Sequence, residues 1–423
     1  MSGSMPDTVH VSSLAGSPLL DSVGKRLGRV EDVVVGLGSG EGEAPVIGLT
    51  ARIAGREMFV PMERIDQLGP FSVTTSTMKL DLAPFERRPG EVLLHKDVLD
   101  RRLINVTGAR LVTAHEVELV QGEDGIWRVA GIDPSLRPRL WRFLPRRFRG
   151  HDTEHRQFIP WADIEPFVGH VPTSRLKLAA RRIRHLHPAQ IADLVEAASH
   201  EEGEEILEAV GDDKELEADV FEELDDEHQV EFLRERSNEE AAAVLARMDS
   251  DDAADLLMEL DQERRLPILG AMPPAAQAKI RSLLGYNPQT AGGMMNPDFI
   301  SVPIEATVAD ALARVRASNF GLQQIAIVCV LDDVGKMVDT LSLAELVRAD
   351  EAQEVSELID DFNPSVPLEA DVPEVARIMS DYNLTAMPVL DAERRPVGII
   401  AVDDVLELLV PEEWRWRAGA GRD

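Results

Sequence analysis

The sequence predicts a multidomain α+β protein, and three changes of texture along its 423 residues predict it. Over residues 1–170, apolar and polar residues alternate between glycine-rich turns, the period of half-buried strands. From 187 to 284 a unit of about twelve residues repeats with apolar positions at helical spacing. From 285 to 410 strand-like and helix-like segments alternate in two similar halves. These textures give an N-terminal region of small β-barrels, a central all-α acidic superhelix and a C-terminal paired α/β module.

The N-terminal region contains its own duplication. GKRLGRVEDVVV (24–35) aligns with GARLVTAHEVEL (108–119), and FVPMERIDQLG (59–69) with FIPWADIEPFVG (158–169). We expect two related β-barrels, 10–80 and 90–170, or one double barrel. The second repeat carries an insertion near 135–157, and a basic linker spans 171–186.

The central units read HPAQIADLVEAA, SHEEGEEILEAV, and so on to PPAAQAKIRSLL. Ser199 with Glu202, and Ser237 with Glu240, have capping-box spacing, which satisfies orphan amides at helix starts. Helices this short are unstable alone, so they must bury their faces on one another in an array over 187–288. Residues 187–284 hold 28 acidic residues against 8 basic ones, a net of −20 out of −32 for the chain. A helix dipole favours each acid at a helix start by only ~0.3–1 kcal/mol. That leaves most of the excess unexplained, and DDAADLLMEL (251–260) poses the question most sharply.

In the last region SVPIEATVADALARV (301–315) repeats as SVPLEADVPEVARIM (365–379), and TLSLAELV (340–347) as IIAVDDVL (399–406). Each half reads strand, helix, strand, strand, helix, with bounds 289–350 and 351–412 and a tail at 413–423.

The residues now quoted carry a resemblance. The paired β-α-β-β-α halves resemble tandem CBS motifs (a Bateman module). HPAQIADL, DDAADLL and TAGGMMNPDFISVP resemble the cytosolic N-domain and CBS junction of MgtE-type magnesium channels. G-x-x-L-G-x-V-x-D-V (24–33) resembles PRC-barrel domains. The resemblance implies a non-catalytic regulatory protein in which Mg²⁺ bridges the N-domain to the CBS pair. Carried over position by position, it implies metal ligation by Asp219, Asp251, Asp255, the carbonyl of Gly293, and Asp404. Asn383 stands where the family has an acid, with Asp381 as a substitute. CBS pairs also bind adenine nucleotides, which would fall to Asp404 and Ser342. Asp339 and Glu345 depart from that pattern, as does Ala401 in place of a hydroxyl. The resemblance further implies a homodimer formed through the CBS module.

Mg²⁺ suits such a surface because it is a hard cation that takes carboxylate and water oxygens. The bland alternative for Asp251 and Asp252 is a solvated helix start behind Asp249 as N-cap. Three functions stay open: a cation sensor relaying a shape change to an unknown regulatory partner, a detached gating subunit of a membrane magnesium transporter, and a nucleotide-sensing CBS protein. No catalytic constellation is present. His187 before Pro188 reads as a helix start, and Cys329 in IAIVCVL as a buried strand residue. A charge of −32 argues against nucleic-acid binding. No window of about 18 apolar residues occurs, so we expect a cytoplasmic protein. RLWRFLPRRFRG (139–150), with five arginines among Trp141, Phe143, Leu144 and Phe148, would serve an internal contact or meet the inner membrane surface.

Overall fold

A computed structural model describes residues 8–36, 44–76, 85–88, 90–135, 158–167, 180–360 and 362–410. The basic insertion 139–150 and the tail 413–423 lie outside the described residues. The chain divides into two compact units, Met1–Leu224 and Asp225–Asp423.

In the first unit the two sequence repeats form one double barrel, because they exchange their opening strands. Thr8–His10 begins the first repeat but pairs antiparallel with Glu116–Gln121 of the second. Glu91–Leu93 begins the second repeat but pairs antiparallel with Arg26–Gly36 of the first. Each opening strand runs into a short helical turn, Val11–Leu14 or Leu94–Val98. A carboxylate of the opposite repeat bonds the first amides of that turn. Asp32 accepts the amides of His95 at 2.7 Å and Lys96 at 3.0 Å. Glu116 accepts the amide of Ser12 at 3.1 Å, and its hydroxyl as well. Asp32 and Glu116 are matching positions of the two sequence repeats.

The exits from the turns match too. Gly16 at φ 81° and Asp100 at φ 60° donate their amides to Val30 and Ala114 at 2.8 and 2.7 Å. Glycine adopts this left-handed backbone without steric cost. Asp100 is an acceptable second choice, and its carboxylate meets His115 Nδ1 at 3.2 Å. Val11, Leu14, Val35, Leu94, Leu103 and Leu119 then belong to one apolar core that runs through both repeats. Gly28 of the repeat motif is required by close packing, since a Cβ there would lie 2.4 Å from the Arg52 carbonyl oxygen.

The same unit continues into the helices Pro188–Glu196, His200–Val210 and Lys214–Glu223. His187 starts the first as expected: its amide donates to Gln190 at 3.1 Å and its Nδ1 accepts from Ala189 at 3.4 Å. The Ser199 amide donates to Glu202 at 2.9 Å, the backward half of the anticipated capping box.

The second unit opens with five helices: Asp226–Arg234, Asn238–Leu245, Ser250–Glu259, Gln262–Ala271 and Pro274–Leu283. Ser237 and Glu240 satisfy each other reciprocally at 3.2 and 2.9 Å. Two three-stranded sheets follow. In one, Ile300–Pro303 runs parallel to Ile327–Leu331, which pairs antiparallel with Met337–Ser342. In the other, Val366–Pro367, Ala386–Leu390 and Pro396–Ala401 repeat that order and place a bulge at the equivalent step. The helices Val308–Ala317 and Leu343–Arg348 belong to the first half, and Val372–Tyr382 and Val402–Leu409 to the second. Cys329, Met337 and Leu390 share an apolar cluster between the halves, and burial pushes the Cys329 thiol up to about 12. The segment TAGGMMNPD is strapped to the second half. Ala291 and Gly292 donate to Ala370 and Leu368, and Asn296 exchanges hydrogen bonds with Ile399 at 2.8 and 2.9 Å.

The exchange of strands depends on its buried acid caps. Asp32→Ala is expected to cost about 1–3 kcal/mol by leaving two buried-side amides without an acceptor. Denaturant unfolding measures the loss, and faster amide exchange at His95 and Lys96 locates it. Asp32→Asn, which keeps an acceptor oxygen, should cost less.

Candidate metal centre

The stretch DDAADLLMEL forms most of the helix Ser250–Glu259, all within the second unit. Asp249 precedes it with extended backbone, but its side chain does not cap the helix. Its carboxylate instead accepts from the Gln324 amide at 2.8 Å. The expectation of a simple N-cap is corrected here: a tertiary donor outcompetes the local amides. Asp251 and Asp252 occupy the first turn, and Asp251 is buried. One carboxylate oxygen from each of Asp249, Asp251 and Asp252 lies within 4.8 Å of the other two. Asp255 follows one turn later.

Asp404 approaches from the other end of the unit's sequence, in the first turn of Val402–Leu409. Its carboxylate accepts the Ala401 amide at 3.2 Å. Burial pushes Asp404 up to about 7, and the negative charges of Asp403, Asp249 and Glu407 add to the shift. Burial likewise raises Asp255 to about 6, with Asp226, Glu259 and Glu407 contributing. Asp249 is raised by burial and by Asp298 and Asp403, while the Gln324 and Asn296 amides oppose the shift. Asp249, Asp255 and Asp404 therefore occupy one field, joined through Glu407. Solvent screens the parts of the field that reach Asp249 and Asp255, which are both exposed. Lys279 neutralises Asp298 at 2.6 Å.

This donor set fits a hard divalent cation. It is all oxygen, and the oxygens of Asp249, Asp251 and Asp252 are close enough together for one ion and its retained waters to bridge. Asp249, Asp251 and Asp252 would hold the ion, with Asp404 in the electrostatic reach of Asp249. Sequence reasoning missed Asp249, Asp403 and Glu407 as members. The doublet Asp403–Asp404 was a signal, but only tertiary folding brings it opposite Asp249.

The other anticipated residues are placed differently. Asp219 is on Lys214–Glu223 in the first unit. Asp381 pairs with Arg377 at 3.1 Å along its own helix, apart from the acids that act on Asp404. Asn383 ends that helix in the left-handed conformation, at φ 54° and ψ 43°. Asparagine tolerates this backbone better than most residues, so the amide has a conformational reason to stand there. Gly293 is buried in the turn Ala291–Met294, where a Cβ would come 2.3 Å from the Asn287 carbonyl oxygen. Ser342 caps Leu343–Arg348 in a reciprocal box with Glu345, at 2.7 and 3.2 Å. Glu345 and Asp404 thus hold the same position in the two halves. Asp339 is buried and accepts the amides of Thr340 and Asp360 at 2.7 and 2.9 Å, so it ties down the connection between the halves. A cavity of about 850 Å³ lies in the first unit beside Asp32, His95 and Arg101, and is not part of this centre.

Comparison with known proteins identifies the modules. Residues 6–81 match the PRC-barrel domain, residues 186–289 the MgtE intracellular N domain, and residues 291–352 and 355–411 the CBS domain. This chain joins a PRC barrel, an MgtE N domain and a CBS pair. It is 37% identical over 139 residues to the magnesium transporter MgtE of Thermus thermophilus, covering 33% of this chain and 31% of that protein. It is 28% identical over 158 residues to the MgtE of Bacillus subtilis, covering 37% and 35%. The chain spans about a third of the length of these curated relatives. A crystal structure of the cytosolic domain of the Mg²⁺ channel MgtE in complex with ATP is similar at a TM-score of 0.53 and 28% identity, over 57% of this chain and 98% of that one. Among the described residues, no helix is long and apolar enough to cross a membrane.

Two outcomes follow. Raised carboxyl values mean that the folded state binds protons the unfolded state does not. Without divalent ions, stability of the second unit should therefore fall as pH rises from about 4 to about 7, as followed by thermal unfolding. Asp404→Asn should flatten that fall. Gly293→Ala should destabilise the unit by about 1–3 kcal/mol through its clash with backbone at Asn287, also read by thermal unfolding.

Proposed function

We propose that this protein is a regulatory Mg²⁺ sensor. The observation that carries the reading is the cluster at the start of Ser250–Glu259, where one carboxylate oxygen from each of Asp249, Asp251 and Asp252 lies within 4.8 Å of the other two and the charge of Asp249 also acts on Asp404. An ion bridging these carboxylates relieves the repulsion and draws the acidic helix and the CBS helix together. Its loss restores the repulsion and loosens that contact. The chain's own part is to hold the carboxylates against one another: Gln324 fixes Asp249, and the Ala401 amide fixes Asp404. Similarity to the cytosolic MgtE domain supports this reading.

We further infer a cytoplasmic homodimer that passes its change of shape to a separate protein. A membrane magnesium transporter is the partner class, since the relatives are named as such. The second reading, adenine-nucleotide sensing, is favoured by the ATP complex of the similar channel domain. Asp404 would serve both ligands. The Ser342 hydroxyl is already bonded to Glu345, which weighs toward the cation.

At pH 7.5, millimolar Mg²⁺ should raise the melting temperature of the wild-type protein by several degrees. The shift should shrink at pH 5, where protons occupy the same carboxylates. It should be largely lost in Asp249→Asn/Asp404→Asn. An equal shift in that double variant would defeat the reading. Calorimetric titration with ATP and with AMP, each with and without Mg²⁺, decides the second one.

A further inference from the structure

The double barrel meets the helices that follow it in the first unit along a seam that two arginines cross, Arg102 and Arg182. Arg102, on the barrel strand Arg102–Asn105, donates to Glu202 at 3.0 Å and to the carbonyl of Ala197. Ala197 ends the helix Pro188–Glu196, and Glu202 lies in the first turn of the next helix. The same Glu202 oxygen accepts the Ser199 amide and hydroxyl, each at 2.9 Å. Arg184, just ahead of the helices, treats the following junction alike: it donates to the carbonyl of Ala209 at 2.9 Å and to Asp212 at 3.0 Å. Arg182 faces back to the barrel, 3.4 Å from the buried Glu165, whose carboxyl burial raises to about 7.

The second unit shows what this contact replaces. There Arg264, from the helix Gln262–Ala271, donates to the carbonyls of Leu233, Arg234 and Arg236 at 2.9, 3.2 and 2.7 Å, and to Asn238 at 3.1 Å. Those groups form the junction between Asp226–Arg234 and Asn238–Leu245. A junction of this kind gathers the negative end of one helix dipole beside the acids that start the next. A planar guanidinium answers both at once, which an ammonium cannot do with the same geometry. Inside the array a later helix supplies the arginine. At its N-terminal edge the barrel strand supplies Arg102 to the first junction, and repeat arrays need such an edge covered.

We propose that the double barrel is a docking module for the N-terminal edge of the acidic helical array, and that this edge recognises arginine presented from a β-strand. The barrel covers that edge as a capping repeat would. The linker's covalent tie is not what holds the two together. The proposal is independent of the metal reading, since none of these arginines touches the carboxylates of that centre.

The test is cleavage of the full chain. A protease recognition sequence placed between residues 170 and 178 lets the barrel be cut from the rest after folding. At 0.1 M NaCl the two fragments of the wild-type chain should co-elute on size exclusion, and at 1 M NaCl they should separate. Arg102→Ala should weaken the recombined fragments by tenfold or more in Kd, and Arg102→Lys, which keeps the charge but loses the fork, by a smaller factor. Fluorescence of the buried Trp127 and Trp161 reports whether each variant barrel is folded. Wild-type fragments that part at 0.1 M NaCl would overturn the proposal. So would fragments carrying Arg102→Ala and Arg182→Ala that bind as tightly as wild type.

Discussion

Asp404 sits near neutrality in its affinity for protons because burial and neighbouring acids both oppose its charge. That conflict, carboxylates desolvated beside other carboxylates, is the constraint around which this molecule is organised. An uncompensated buried charge is costly, so each one must be hydrogen-bonded, paired, protonated or bound to a cation. The chain uses hydrogen bonds and ion pairs for most of them, and where it uses each is informative.

In the barrel the solution is backbone amide. Asp32 and Glu116 each bond the first amides of a turn that belongs to the opposite repeat, and so convert a local cap into a clasp between halves. Asp339 does the same in the CBS pair by reaching the Asp360 amide. Along the seam below the barrel the solution is guanidinium, from Arg102 and Arg182. These acids have amide or guanidinium partners within the protein, although burial still raises Asp32 and Glu165 to about 7. Asp249, Asp255 and Asp404 are answered only in part, and their neighbours in the centre are mostly further acids. Under the proposed function, this set responds to protons and divalent ions from the solvent.

The duplication within each region gives this economy its form. The two barrel repeats swap opening strands, and the two CBS halves repeat their strand order down to the position of a bulge. Equivalent positions then diverge in use. Glu345 completes a capping box with Ser342, while Asp404 faces Ala401 and is drawn into the acidic field instead. Loss of a hydroxyl at Ala401 removes one donor that would otherwise have held the Asp404 carboxylate.

Periodicity alone determined the elements: the strand alternation, the twelve-residue helical units with their Ser–Glu boxes at 199 and 237, and the doubled β-α-β-β-α order. These are local properties, set by side-chain spacing and by amides that must be capped within a few residues. Sequence also singled out Asp251, Asp255 and Asp404. It left open whether the N-terminal repeats were two barrels or one, and it assigned Asp249 to its own helix. Tertiary structure decided both, because strand exchange and the Gln324–Asp249 bond join residues far apart in the chain. The strength of an acid's field depends on burial and on distances to other acids, and neither is written in the spacing of residues along a sequence.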